Sequence, residues 1–425
     1  MKTTRLTGVL LAAVCSMPIW SVPMAHAADI RVACYSDGNE CEVTQSLTQA
    51  FMQANPDVHV TIDTVPYKSI QESLPVQLAA GNGPDIARVT DFGAVSRYFL
   101  DIRPLLPDAA YWDANFGAVL DWMRSGPADH GIYGMPTQLT VTGPIVNKTL
   151  FDQAGVKIPD AKATWDDWAS AVDKVAKATQ TPFGMAMDRS GHRFAGGAIS
   201  YGAKFFAADG TPSPIDDGFR AFAGRFVAWN LDKTVEKDVW AAAGGSGYRD
   251  AFQDFANGQV VAYISGSWQI ARLQKSIGDG FEWVIAPNPC GPAACTGMPG
   301  GASFVAFRGT KSPKEVARFL DYLAAEKNYA TLMSKTANIP AHVALQKTGI
   351  KYDLPPASAA ALKVFTDQAA SLAPLAYRLQ GYAYSRSIFN AIVARLSQAI
   401  VGELTLDQAY ARIAADVQSA VTASK

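Results

Sequence analysis

Cysteine and histidine are scarce in this chain: its 425 residues hold five of each. His59, His130, His192 and His342 stand isolated, at no metal-ligand spacing, so neither a metal centre nor any other cofactor is expected. No H-E-x-x-H and no G-x-S-x-G stretch occurs, which removes two common hydrolase signatures. Basic blocks are missing as well. Lys plus Arg number 37 against 38 Asp plus Glu, a net charge of −1, so nucleic acid is not an expected partner. No apolar run beyond the N-terminal segment reads as a membrane span.

That N-terminal segment reads as an export signal. Lys2 and Arg5 precede a short apolar run, Leu6 to Ile19, and Ala25-His26-Ala27 is an A-x-A cleavage site. Residues 1–27 are therefore expected to be removed, leaving a periplasmic chain that begins at Ala28. Cys15 offers a lipoprotein alternative, but Val14 suits that processing poorly. Four cysteines remain in two local pairs, Cys34 with Cys41 and Cys290 with Cys295. An even number in an exported chain argues for disulfides. A zinc site would need all four together, and no histidine lies within either pair.

About 400 residues follow the signal, enough for two domains. Ile30–Tyr35, Val58–Ile62 and Asp85–Thr90 read as strands. Helical spacing over Glu42–Ala54 and Ile70–Ala80 separates them. This β-α-β-α-β order predicts a parallel sheet with ligand-facing loops at the carboxyl ends of its strands. Tyr35 and Asp37 lie in one such loop and Asp91 in another. Tyr133–Lys148 reads as a crossover into a second unit. There, Thr164 and Asp167 start a helix as a capping box. Phe219–Leu231 and Tyr248–Asn257 read as further helices. Gln259–Ile264 and Phe281–Ala286 read as strands around a helix from Trp268 to Ser276. The stretch from Met298 to Phe307 opens with Gly300-Gly301 and reads as a turn feeding a strand, where backbone N–H groups can approach a ligand. Helices over 312–325, 327–334, 384–401 and 404–421 complete the expectation.

Several blocks carry a family likeness: Gly81-Asn82-Gly83-Pro84-Asp85-Ile86, Asn147 to Gly155 with Thr164 to Asp167, Gly300 to Ser303, and Ala317 to Leu323. In this order they resemble the family-1 extracellular solute-binding proteins of ABC importers, over nearly the whole chain after Ala27. The resemblance implies an α/β, two-lobed periplasmic-binding-protein fold (type II) with a hinged ligand cleft. The first lobe is expected to take residues 28–140 and 302–345, the second 141–301 and 346–425. It also implies a monomeric, non-enzymatic protein that takes a small ligand to membrane permease subunits.

The glycerol-3-phosphate-binding branch looks nearest. By that likeness Tyr67, Asp91, Thr140, Ser265 or Ser267, Gly300, Gly301 and Arg378 face ligand. Asn338 stands where that branch has a tyrosine, which weakens a phosphate reading. Trp268 is a candidate ring platform for a sugar. Carboxylate, guanidinium, backbone N–H and aromatic groups together suit a neutral mono- or oligosaccharide. Glycerol-3-phosphate or a glycerophosphodiester is the alternative ligand, and an exported glycoside hydrolase the alternative class.

Overall fold

The computed structural model describes residues 27–126, 128–241 and 245–423; residues 1–26 of the export signal, Cys15 among them, lie outside these. The first strands follow from alternation. In β1 (Ala28–Cys34) Ile30, Val32 and Cys34 are buried while Asp29 and Arg31 are exposed, as a strand with one buried face requires. β2 (Val58–Thr64) and β3 (Ile86–Val89) both pair with β1 in parallel. Between them run helices Glu40–Ala54, which buries Val43, Leu47 and Phe51 at four-residue intervals, and Tyr67–Ala79. The second helix starts at Tyr67, three residues before the periodicity suggests, because Pro66 fixes the extended residue ahead of it.

The crossover is one long strand. β4 (Gly134–Asn147) pairs antiparallel with β8 (Pro299–Ala306) through its first half. Its second half pairs with β6 (Val260–Gly266) and β7 (Trp283–Ile285). β5 (Phe183–Met187) pairs in parallel with β6 and was not foreseen from the sequence. The order is β2-β1-β3-β8-β4-β6-β5, with β7 also on β4. β4 thus belongs to both halves of the molecule.

Two buried clusters lie on either side of it. One gathers Val32, Phe51, Ile86, Trp112, Phe116, Phe304 and Phe319. The other gathers Trp168, Phe194, Phe219, Phe222, Phe226, Trp240, Phe255 and Leu396. Each large apolar side chain in these cores contributes roughly 1.5–3 kcal/mol by burial. Leu139 packs against both. The chain is therefore two lobes that share a strand pair. On these cores we propose the lobe limits 28–140 with 302–345 and 141–301 with 346–425, although Ala337 and Ile339 pack with the second core.

The Thr164–Asp167 capping box is present at the start of helix Trp165–Thr179. Two local expectations are corrected. Gly300 and Gly301 form no turn; they sit inside β8, opposite Thr140 and Leu139 of β4. A Cβ on Gly300 would stand 2.6 Å from Thr140 Oγ1, and one on Gly301 2.5 Å from the Gln138 carbonyl oxygen. Close approach of two strands, not a bend, requires the pair. Tyr248 is also not helical: only Phe252–Ala256 forms a helix there. The preceding loop is held by an antiparallel bridge between Arg189 and Arg249. Both expected disulfides are formed, Cys34–Cys41 and Cys290–Cys295. The first joins the end of β1 to the following helix.

Candidate functional site

The shared strands place one large cavity between the lobes. Its empty volume is about 1010 Å³ including its solvent-facing part. The first lobe supplies Tyr35 and Asp37 from the loop after β1, Tyr67 and Gln71 from the next helix, and Thr90 and Asp91 from the end of β3. The strand pair supplies Gln138, Thr140, Gly300 and Gly301. The second lobe supplies Arg193, Tyr248, Trp268, Arg386, Phe389 and Asn390. The carboxyl-end rule for parallel strands explains the first group. The same rule explains Arg193, which follows β5.

Most charged groups at the cavity have an opposite charge beside them. Arg386 Nε lies 3.7 Å from Asp91 Oδ2. With the Gln71 amide turned to face it, the Gln71 oxygen accepts from both terminal nitrogens of Arg386, at 2.8 and 2.9 Å. Asp91 also caps the short helix Phe92–Val95, accepting from Ala94 N–H at 3.4 Å. Burial raises its pKa, with Arg386 pulling the other way. Burial likewise pushes Asp37 up to about 6, against the pull of Arg88 and with a further push from Glu40.

Arg193 sits at the centre of the second lobe's wall. Its Nε is 3.4 Å from Asp188, a fully buried carboxylate that accepts from Ser265 Oγ at 2.7 Å and Tyr248 Oη at 3.1 Å. Its guanidinium carbon lies 4.1 Å from the Trp268 ring centroid, a cation–π distance. Burial and the Arg193 charge push His192 down to about 3, so the ring is neutral. Its Nε2–H donates to the Pro299 carbonyl at 2.8 Å, which leaves Nδ1 to accept from Arg193 at 2.9 Å. Aromatic faces complete the wall: Tyr35 and Tyr67 lie 4.8 Å apart between centroids, and Tyr248 meets Tyr67 edge-on at 6.1 Å.

Of the residues singled out in the sequence, Tyr35, Asp37, Tyr67, Asp91, Thr140, Trp268, Gly300 and Gly301 line this cavity. Four do not. Ser265 donates to Asp188 behind the wall. Ser267 Oγ accepts the Val141 N–H at 3.2 Å and holds β4 against the turn after β6. Asn338 is buried behind the first lobe's wall, where its amide donates to Glu40 at 3.1 Å. Arg378 lies 4.2 Å over the Phe206 ring and lines no part of the cavity. The sequence reading missed Gln71, Gln138, Arg193, Tyr248, Arg386, Phe389 and Asn390. The apolar run Phe183-Gly184-Met185-Ala186-Met187 was the available signal for Arg193, because a strand there places the following loop at the site.

Among the described residues no group of histidine, cysteine, aspartate or glutamate could hold a metal ion, and no helix is long and apolar enough to cross a membrane. Two lobes about a shared strand pair, with the main cavity between them, define a two-lobed periplasmic-binding-protein fold. The chain belongs to the bacterial extracellular solute-binding protein family, whose profile matches residues 38–330. A multiple sugar-binding protein of Streptococcus mutans is 24% identical over 342 residues, spanning 76% of this chain and 77% of its own. A maltodextrin-binding protein of Bacillus subtilis is 26% identical, spanning 72% of each chain. Among solved structures, an ABC substrate-binding protein from Listeria monocytogenes in complex with cycloalternan superposes with a TM-score of 0.75 at 17% identity. It covers 93% of this chain and 99% of its own. A solute-binding protein from Thermotoga lettingae bound with α-D-tagatose gives a TM-score of 0.76 at 15% identity, covering 92% and 99%. These similarities place the chain among extracellular binding proteins.

Proposed function

We propose that this protein captures a neutral carbohydrate in the periplasm and delivers it to the permease of an ABC importer, acting as a monomer and catalysing no reaction. One observation carries the ligand class. Ring faces and paired opposite charges converge from both lobes on one cavity. A sugar presents hydroxyls that donate and accept, and C–H faces that pack on rings. Asp37 and Asp91 suit hydroxyl donors; Arg193, Gln138 and Asn390 suit hydroxyl oxygens. Tyr67, Tyr248, Trp268 and Phe389 suit the apolar faces. One side of Trp268 is already covered by Arg193, so a sugar would use the uncovered part of that ring.

The arginines argue against a phosphate. Arg193 is beside Asp188, Arg386 is beside Asp91, and Arg189 donates to the Gly245 carbonyl. At Arg193 and Arg386 a phosphate would have to compete with carboxylates already in place. Named relatives that bind multiple sugars, maltodextrin and lactose support the carbohydrate reading. Delivery to a permease follows from family membership, because lobe closure around a ligand gives a membrane partner a distinct surface to read. A thermal-shift screen of sugars, polyols and glycerol phosphates tests the proposal, since a ligand selective for the folded state raises the melting point. A shift with glycerol phosphate and with no sugar would overturn it.

A further inference from the structure

We infer that Asp188, which lines no part of the cavity, is the positioning residue that holds Arg193 in place for a bound sugar. The inference rests on the carbohydrate reading and deepens it. Asp188 directly follows β5, and its side chain is wholly buried. Donors converge on both of its oxygens. Tyr263 Oη and the Ala251 N–H donate to Oδ1 at 2.5 and 3.3 Å. Ser265 Oγ and Tyr248 Oη donate to Oδ2 at 2.7 and 3.1 Å, and Arg193 Nε lies 3.4 Å from the same oxygen. Tyr263 and Ser265 project from one face of β6. The Gln269 amide donates to both of their oxygens, at 3.0 and 3.3 Å, which turns their hydroxyl protons toward Asp188.

The carboxylate is thus anchored from behind and reaches forward to two residues of the cavity wall, Arg193 and Tyr248. The Arg193 guanidinium carbon lies 4.1 Å from the Trp268 centroid and 5.8 Å from that of Tyr248, within cation–π reach of both rings. Its Nε makes no aligned hydrogen bond, so charge rather than direction ties it to Asp188. Burial raises the Asp188 pKa, and Arg193 is the largest opposing pull. The carboxylate depends on the arginine as the arginine depends on it. Asparagine at 188 separates that contact from the others. Its oxygen must stay at the Oδ1 position, because the Ala251 N–H can only donate. Its NH₂ then faces Ser265 and Tyr248, whose hydroxyls can also accept, and Arg193, which cannot. Asp188→Asn therefore removes chiefly the hold on Arg193.

Arginine labelling with phenylglyoxal, read by peptide mass spectrometry, tests this without ligand. The Arg193 side chain is 11% exposed. It should react slowly in the native mature protein and several-fold faster in Asp188→Asn. Arg395, bound to Asp416 in the same lobe, should react alike in both, which shows the lobe intact. Calorimetry with neutral saccharides adds an affinity cycle over Asp188→Asn, Arg193→Met and the double variant. Each single change should weaken binding about tenfold, and the double variant should be no more than about twofold weaker than Arg193→Met. Losses that multiply would overturn the inference, as would unchanged Arg193 labelling. Should Asp188→Asn fail to fold, Ser265→Ala loosens the same carboxylate from behind the wall. It should raise Arg193 labelling and lower affinity, and native values for both would overturn the inference. If no saccharide gives heat with the native protein, the carbohydrate reading falls and the labelling alone decides the role of Asp188.

Discussion

Replacing Arg88 by methionine removes the buried counter-charge beneath the cavity. Arg88 is fully buried on β3. Its Nη1 donates to the Tyr35 carbonyl at 2.8 Å and lies 3.7 Å from Asp37 Oδ2, and its guanidinium covers the Tyr35 ring at 4.1 Å. Glu40, 7% exposed, is the second carboxylate near it and accepts from the backbone of Gly38 and from Asn338. Burial pushes the Glu40 pKa up, but Arg88 and these hydrogen bonds outweigh it and leave the pKa lowered. A carboxylate with a lowered folded pKa contributes stability above its unfolded pKa, and that stability is lost as pH falls through the folded value.

Arg88 is the largest single downward pull on both Glu40 and Asp37. Without it burial dominates and both folded pKa values rise. For Glu40 the sign then reverses, and for Asp37, already raised to about 6, the existing trend deepens; stability is lost as pH rises through the raised values. Removing one partner of a buried charge pair costs about 3–5 kcal/mol. At roughly 2–4 °C per kcal/mol for domains of this size, the melting point should fall on the order of 10 °C near pH 8. The fall should be smaller near pH 5, where the orphaned carboxylates can take up protons. Thermal unfolding of both proteins at the two pH values is the assay. Equal falls at both, or a fall under about 3 °C at the higher pH, would refute the reasoning.

Three other outcomes are expected. Peptide mapping of the unreduced protein should recover Cys34 linked to Cys41 and Cys290 linked to Cys295; a Cys34–Cys290 peptide would contradict both pairings. Gly300→Val should weaken ligand binding by at least about tenfold, because its side chain would press on Thr140 Oγ1 and into the cavity; native affinity in calorimetry would show that this wall can give way. Small-angle scattering should show a smaller radius of gyration with ligand than without, since each lobe holds only part of the site; identical curves at saturation would mean a rigid cleft.

Much of the first lobe was legible because its strands alternate and its helices repeat at four-residue intervals. Thr164 and Asp167 declared their helix through side-chain chemistry alone. β5 was not legible as a strand, since Gly184 and two methionines dilute its signal. The glycine pair announced a close approach, but the sequence cannot distinguish a tight turn from two strands pressed together. Site residues on the loops after β1 and β3 could be placed by topology. Tyr248 and Arg386 could not, because they reach the site only when distant segments fold against each other, and Arg193 was lost with β5. Arg378 and Arg386 illustrate the difficulty. They lie on neighbouring helices, Pro374–Gln380 and Ser385–Ile400, and the turn between them sends one guanidinium onto Phe206 and the other into the cleft.

The cleft is proposed to hold a neutral sugar on Asp91 and its neighbours. Calorimetric titration of the mature protein and of Asp91→Ala tests it most directly, with neutral saccharides and glycerol-3-phosphate as titrants. The native protein should bind at least one neutral saccharide at micromolar concentration or below. The variant should lose about 2 kcal/mol or more of that binding, since Arg386 is left without its carboxylate and the sugar without an acceptor. Saturable heat from glycerol-3-phosphate, with none from any saccharide, would contradict the account.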